Sequence, residues 1–408
     1  MRAYLSRYPR PFWVLLVFLF LNRTGSALIW PFMTLLMRQR LNAPLITITS
    51  LISLQAVTGL IGMVAAGWLM DRYGRKPFML FSLFVMAGIY MGMFRADQLW
   101  QWMILVMLNG VFNAVFYSGV NAMTTDLIPP TDRAGAFALV RTLANLAIAI
   151  GPALAGVFLG ANYGAAYPIA AGLYVLMAFP FLWIIKESMP VRGGHTHTQA
   201  PTRKGGGYGY MLRDKAFMAF CGAYLMVELA VAMVFILLPI YVKENYGIPE
   251  NQYSLLLTVN AGMVALLQVV ISRWSSRYRP FAMLTLGGLL YVVGLSGFAL
   301  SSLLPHFVIS MAILTVGELI VAPTSNSVVA ALAPMDMRAR YLSIFSLAWT
   351  MGSGIGPIAG GFLSDTFAPQ AIWIGAAVFA GCSALGFALL GRRQAQSSDA
   401  KGKAAPAG

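Results

Sequence analysis

The sequence predicts an all-α polytopic membrane protein with twelve transmembrane helices in two pseudo-symmetric six-helix halves. Three observations carry that prediction. Of 408 residues, 59% are hydrophobic and only 10% charged, where a soluble domain carries about 25% charged residues. Apolar stretches long enough to cross a bilayer, about 20 residues at 1.5 Å rise, recur along the whole chain. They number twelve, at 12–37, 45–70, 77–94, 99–126, 134–160, 164–186, 216–242, 251–272, 281–301, 305–333, 339–364 and 369–391. The basic residues are also sorted by side. With the N-terminus cytoplasmic, 22 of the 28 Lys and Arg fall in cytoplasmic segments, while Arg38, Arg40, Arg95 and Lys243 fall on the other side. This positive-inside bias places both termini in the cytoplasm; the expected location is the cell inner (plasma) membrane. The net charge of +15 is then a topology signal, helped by anionic lipid, and nucleic acid is not an expected partner.

Taken in order, the start "MRAYLSRYPRPFWVLLVFLFLNRTGSA" has the basic, apolar and small-residue zones of a signal peptide. The apolar pattern resumes in "LIWPFMTLL", which predicts an uncleaved first span. Between spans two and three stands "GWLMDRYGRKP", with Gly67, Asp71, Arg72, Gly74, Arg75 and Lys76. Gly67 permits close helix approach and Gly74 a tight turn. Asp71 can accept from neighbouring arginines or face a helix N-terminus. Asp126, at the end of span four, is the partner expected for Arg75. A role for these charges in topology alone also fits.

Span four carries Asn109, Asn113, Tyr117 and Asn121 at i, i+4 spacing, a polar stripe that lines a cavity or makes packing hydrogen bonds. Span five contains "IAIGPALAG", with Gly151, Pro152 and Gly156. The polar stretch 187–213 is rich in Gly, Pro and basic residues and reads as a cytoplasmic linker. It divides an N-terminal half, 1–186, from a C-terminal half, 214–393, which a disordered tail follows at 394–408. His195, His197 and His306 fall in loops, and "HTHT" suits a polar linker better than a metal site. Cys221 and Cys382 are too few for a disulfide framework or metal cluster.

A shift of 205 residues relates the halves: Arg133 lands on Arg338, Gly151 on Gly356, Pro152 on Pro357 and Gly156 on Gly361. The same shift takes Arg72-Tyr73 to Arg277-Tyr278, within "SRWSSRYRP", where Ser276 stands in place of Asp71. Span eleven holds "GSGIGPIAGG", with Gly352, Gly356, Pro357, Gly360 and Gly361. Small residues let helices approach and the proline frees a carbonyl, which suits generic tight packing as well as a specific device. Parallel repeats of this kind predict a transporter with a mid-membrane site.

Four charges lie in the interior of spans: Arg23, Arg141, Glu228 and Glu318. Each costs at least about 2.5–3.5 kcal/mol at the bilayer centre, so such residues face a cavity or a partner. Mutual pairing is one reading, and Glu228 corresponds to Arg23 under the repeat shift. Glu318 corresponds to Asn113 on the polar stripe, and a carboxylate in low dielectric can bind and release a proton near neutral pH. Trp30, Tyr117, Tyr224 and Trp349 lie near these charges and could bind a flat amphipathic molecule or simply pack.

"GWLMDRYGRKP" resembles the G-x-x-x-D-R-x-G-R-K signature of the major facilitator superfamily. With twelve spans, a central linker and the half-repeat, the resemblance covers nearly the whole chain and implies the major facilitator fold. In that family the motif is a conformational latch, its acid bracing the halves in the outward-facing state, and Ser276 implies an asymmetric latch. "IAIGPALAG" resembles the antiporter motif G-x-x-x-G-P-x-x-G-G, with Ala147 and Ala155 replacing two glycines and the fuller copy in span eleven. Span four lacks the proton-linked arginine of many exporters, having Val106 in "VMLNG". Gly317, Glu318 and Pro323 in span ten resemble lactococcal multidrug/proton antiporters and enterobacterial drug and dipeptide exporters. In the former, the glutamate binds cations and carries protons. Those antiporters have further acids in spans five and seven, where this chain has Arg141 and a displaced Glu228.

The resemblance implies a secondary exporter, not an enzyme, that exchanges protons for small drug-like or peptide-like amphipathic compounds and acts as a monomer. Neither a cofactor nor a metal is expected. A carrier of a sugar, dipeptide or organic acid is the alternative, which the two arginines favour. A membrane enzyme or receptor is remote, because no span holds a histidine in its interior and no nucleotide loop is present.

Overall fold

The computed structural model describes residues 8–129, 132–159, 162–188, 208–334 and 337–404. Among them are twelve long helices and no strand. The first six are α1 (Arg10–Leu41), α2 (Leu45–Tyr73), α3 (Lys76–Arg95), α4 (Leu99–Leu127), α5 (Arg133–Leu159) and α6 (Ala166–Ile184). The second six are α7 (Lys215–Tyr246), α8 (Glu250–Ser275), α9 (Pro280–Leu300), α10 (Leu304–Leu332), α11 (Arg338–Thr366) and α12 (Ala371–Ala404). Each coincides with one predicted span. Ten of them are long and apolar enough to cross a membrane, while α5 and α11 are 27 and 29 residues long. Helix is the outcome physics demands, because a segment in lipid must satisfy its backbone internally.

Local chemistry sets the ends. Proline at the first turn opens α1, α3, α9 and α10, where its missing N–H costs nothing. Asp214 caps α7, accepting from the Phe217 amide at 3.1 Å and from the Tyr341 hydroxyl at 3.0 Å. The helix α2 stops at Gly74, whose φ of 100° favours glycine.

Two expectations need correcting. The tail from 394 does not begin as coil, because α12 continues to Ala404. Its "QAQSSDAKGKA" is rich in Ala, Gln and Lys, good helix formers that extend a helix already nucleated. The linker does not begin at 187 as free chain either. Glu187 and Ser188 are hydrogen-bonded to the first unit, and Tyr208–Arg213 forms a short helix. The rest of the linker, with His195 and His197, lies outside the described residues.

The chain forms two compact units. The first holds α1–α6 and the segment Pro249–Thr258; the second holds α7, α8 from Val259 and α9–α12. In the first unit α2 packs on α4, α1 on α5 and α3 on α6; in the second α8 aside, α7 packs on α11 and α9 on both α10 and α12.

Candidate functional site

The second unit gathers two carboxylates. Glu318 lies fourteen residues from either end of α10, in the middle of the helix. The Asn260 amide of α8 donates to its Oε2 at 2.9 Å and also to Thr315 Oγ1 at 3.0 Å. Thr315 is one turn earlier on α10 and fully buried. Glu228, on α7, is 9% exposed. Tyr224 stands one turn before it on α7, and the charge of Glu318 acts on Glu228. Buried Tyr291 of α9 lies within the field of both acids. Among the described residues, no lysine or arginine forms an ion pair with either carboxylate. Four helices thus converge on two unneutralised acids with amide and hydroxyl groups around them.

The glycines of α11 position one of these acids. A Cβ on Gly352 would stand 2.5 Å from Glu228 Cβ and 2.7 Å from its carbonyl carbon. On Gly356 it would meet the Leu229 carbonyl oxygen at 2.5 Å. Backbone contact at this range exists only because both residues lack a side chain. Gly360 instead faces the side chains of Leu237 and Met233. The row from Gly352 to Gly360, with Pro357 inside the helix, is therefore the surface on which the Glu228 segment rests. In the first unit Gly151 has the same relation to Ala27 of α1. For Pro152 and Gly156 the description stops at the backbone, both within α5. Gly361 is buried on α11.

The first unit separates residues that sequence reasoning grouped. Arg23 holds its guanidinium 4.4 Å from the Tyr117 ring centroid, and its buried Nε has no hydrogen-bond partner. Asn109 does not line an open surface: it is 4% exposed and accepts from Gln55 Nε2 of α2 at 2.8 Å. An i, i+4 series turns by about 40° per step, so the stripe sweeps around α4 from Asn109 toward Tyr117. Asn113 and Tyr117 are half-buried. Arg141 is exposed on α5, Trp30 is 38% exposed on α1 and Trp349 is exposed on α11. The Tyr224 ring lies tilted against that of Phe345, with centroids 4.4 Å apart.

At the α2–α3 loop, Arg75 is the hub. Its Nη2 donates to Asp71 Oδ1 at 3.1 Å and its Nη1 to the Met70 carbonyl at 3.2 Å. Its Nε lies 3.1 Å from Asp126 Oδ2, an ion pair in which both side chains are largely buried. Glu187 spans the N-terminus of α3, accepting from the Arg75 and Lys76 amides at 3.0 Å each. Lys76 Nζ donates to the Leu182 carbonyl at 2.7 Å. Arg72 is turned away from this cluster, over Trp68 and Tyr73. Gly67 has open space around it.

Sequence reasoning missed Asn260, Thr315, Tyr291 and Glu187. Asn260 had a signal, an amide alone in "LLLTVNAGMVALL", which a polar-in-lipid search would find. Tyr291 and Thr315 have none, since aromatic and hydroxyl residues are common in spans.

Comparison with known proteins bears on the family and the fold. The Major Facilitator Superfamily model matches residues 15–227 and again 220–407. The match is thus doubled, once over each half of the chain. A "Na(+), Li(+), K(+)/H(+) antiporter" of Planococcus maritimus is 26% identical over 384 residues, covering 87% of this chain and 88% of that protein. Multidrug resistance protein MdtH of Klebsiella pneumoniae (strain 342) is 25% identical over 303 residues, covering 74% of this chain and 73% of that protein. Among solved structures, a mutant of the nucleoside transporter NupG superposes with a TM-score of 0.79 at 13% identity, over 93% of this chain and 100% of that one. A bacterial homolog of the human lysosomal transporter Spinster reaches 0.75 at 14% identity, over 96% and 97%. At such identities the structures speak for the fold alone. A doubled family match, a multi-pass helical chain and transporter-fold neighbours give one conclusion: the chain is a membrane transporter, and it belongs to the Major Facilitator Superfamily.

Proposed function

We propose that this transporter is a proton-coupled antiporter that exports small amphipathic compounds, drug-like or peptide-like, by alternating access. It lies in the cell inner membrane with both termini cytoplasmic. The observation that carries the reading is the pair of carboxylates on α7 and α10, with no cationic partner among the described residues. Two ionised acids inside a membrane helix bundle are costly, so a proton or a cationic substrate group relieves them in turn. Glu318 is the coupling carboxylate and Glu228 the second titrating group. Arg23 and Arg141 hold an anionic group of the substrate. Asp71, Arg72, Arg75, Lys76 and Asp126 form the conformational latch, with Gly67 and Gly74 shaping its loop. Relatives named as an antiporter and as a multidrug resistance protein support this direction of reading.

A carrier of a sugar, dipeptide or organic acid is the second reading. It is favoured by Arg23, whose buried Nε lacks a hydrogen-bond partner and could meet a substrate carboxylate. Transport in inverted vesicles with an imposed pH gradient separates the two. Export coupled to protons gives uptake that collapses with the gradient and is lost in Glu318→Gln. Full proton-coupled uptake by that variant would overturn the assignment of Glu318.

A further inference from the structure

The α2–α3 loop and its repeat, the α8–α9 loop, share a register but not a charge balance. In the first unit three carboxylates, Asp71, Asp126 and Glu187, take up Arg75 and the first amides of α3. The 205-residue register replaces them with Ser276, Ala331 and Arg392. Ser276 turns its hydroxyl back to the Arg273 carbonyl at 2.9 Å. A Cβ on Gly391 would meet Phe281 at 2.9 Å, so Arg392 emerges beside the α8–α9 loop. Arg273, Arg277, Arg279, Arg392 and Arg393 are exposed, and among the described residues no carboxylate pairs with them.

A groove of about 290 Å³ lies along this end of α8, lined by Val269, Val270, Arg273, Trp274 and Arg277. Its chemistry is graded along the helix axis. Val269 and Val270, exposed by 59% and 63%, form an apolar wall. Trp274, its ring 5.3 Å from that of Tyr278, supplies the aromatic belt residue of a membrane–water boundary. Arg273, in the last turn of α8, and Arg277, in the turn that follows with its amide bonded to the Trp274 carbonyl, complete the groove with two guanidiniums. Such side chains match phosphate oxygens with paired donors.

We propose that this groove is a binding site for one anionic phospholipid, its headgroup phosphate held by Arg273 and Arg277 and an acyl chain lying on Val269 and Val270. Apolar contact and charge complementarity both fit a lipid better than a soluble anion, which would have no use for the valine wall. In the α2–α3 loop, by contrast, the hub arginine Arg75 is held by acids. The proposal requires only that α8 spans the bilayer, and stands apart from the coupling role of Glu318.

The test uses the full chain in nanodiscs containing brominated phosphatidylglycerol or brominated phosphatidylcholine. Quenching of Trp274 is isolated by subtracting the signal of Trp274→Phe. The expected result is a preference for the anionic lipid of about fivefold per arginine, about thirtyfold for the pair. Arg273→Gln with Arg277→Gln removes that preference. Arg392→Gln with Arg393→Gln, which removes the same charge nearby, leaves it in place. Equal quenching by both lipids in the unaltered chain overturns the proposal. So does equal loss in the two double variants, which marks diffuse attraction to a basic surface. Abolition of the preference by millimolar inorganic phosphate overturns it as well, by assigning the groove to a soluble anion.

Discussion

Replacing Gly352 by alanine tests whether the glycine row of α11 positions Glu228. The added methyl would stand 2.5 Å from Glu228 Cβ, 2.7 Å from its carbonyl carbon and 3.0 Å from its carbonyl oxygen. Two of those atoms are backbone, so rotating a side chain cannot relieve the overlap and α7 and α11 must separate. Overpacking of this kind costs about 1–3 kcal/mol. If the cost falls on the folded state alone, the half-life at a fixed elevated temperature shortens by about fivefold to a hundredfold. Gly262 is the control, since a methyl there meets nothing within 4 Å. The assay is the fraction of monodisperse protein recovered after timed heating in detergent, with transport measured in parallel on vesicles. Gly352→Ala should lose both lifetime and proton-coupled transport, while Gly262→Ala keeps both. Equal lifetimes for the two variants would refute the argument that α11 supports Glu228 by backbone contact.

Asn260→Leu should lower thermal stability by about 1.5–3 kcal/mol, because a donor to a charged group is lost; it should also slow transport, checked in the same vesicle assay. Glu187→Gln should weaken the start of α3 by about 0.5–2 kcal/mol. Hydrogen exchange at the Arg75 and Lys76 amides should then accelerate, and unchanged exchange would show that the carboxylate does not hold that turn. By contrast, Arg40→Gln should change thermal stability by less than about 0.5 kcal/mol, since the Arg40–Asp97 pair is 37% and 63% exposed.

The limits of sequence reasoning show best at single residues. The Arg75–Asp126 pair was legible because both charges sit at the ends of apolar spans with few other partners. Glu187 looks like linker in the sequence, since Gly, Pro and basic residues follow it and nothing in one dimension points it at α3. The α4 stripe was legible as a polar face, but not the neighbour each residue meets. Asn109 found Gln55 and Tyr117 found Arg23 because a rotation about the helix axis aims them at different helices.

By itself the sequence determined what depends on solvent and local pattern. Apolar run length against bilayer thickness set the twelve helices, proline and glycine set several of their ends, and the 205-residue register foretold the repeat. The tertiary structure alone decided which polar groups meet. Asn260 and Glu318 are 58 positions apart, and Gly352 lies far along the chain from the Glu228 backbone it touches. Such contacts depend on crossing and rotation of packed helices, which no local spacing encodes. The same holds for the groove on α8, where a basic end visible in the sequence became a candidate lipid site only through its valine wall and the absence of neighbouring acids among the described residues.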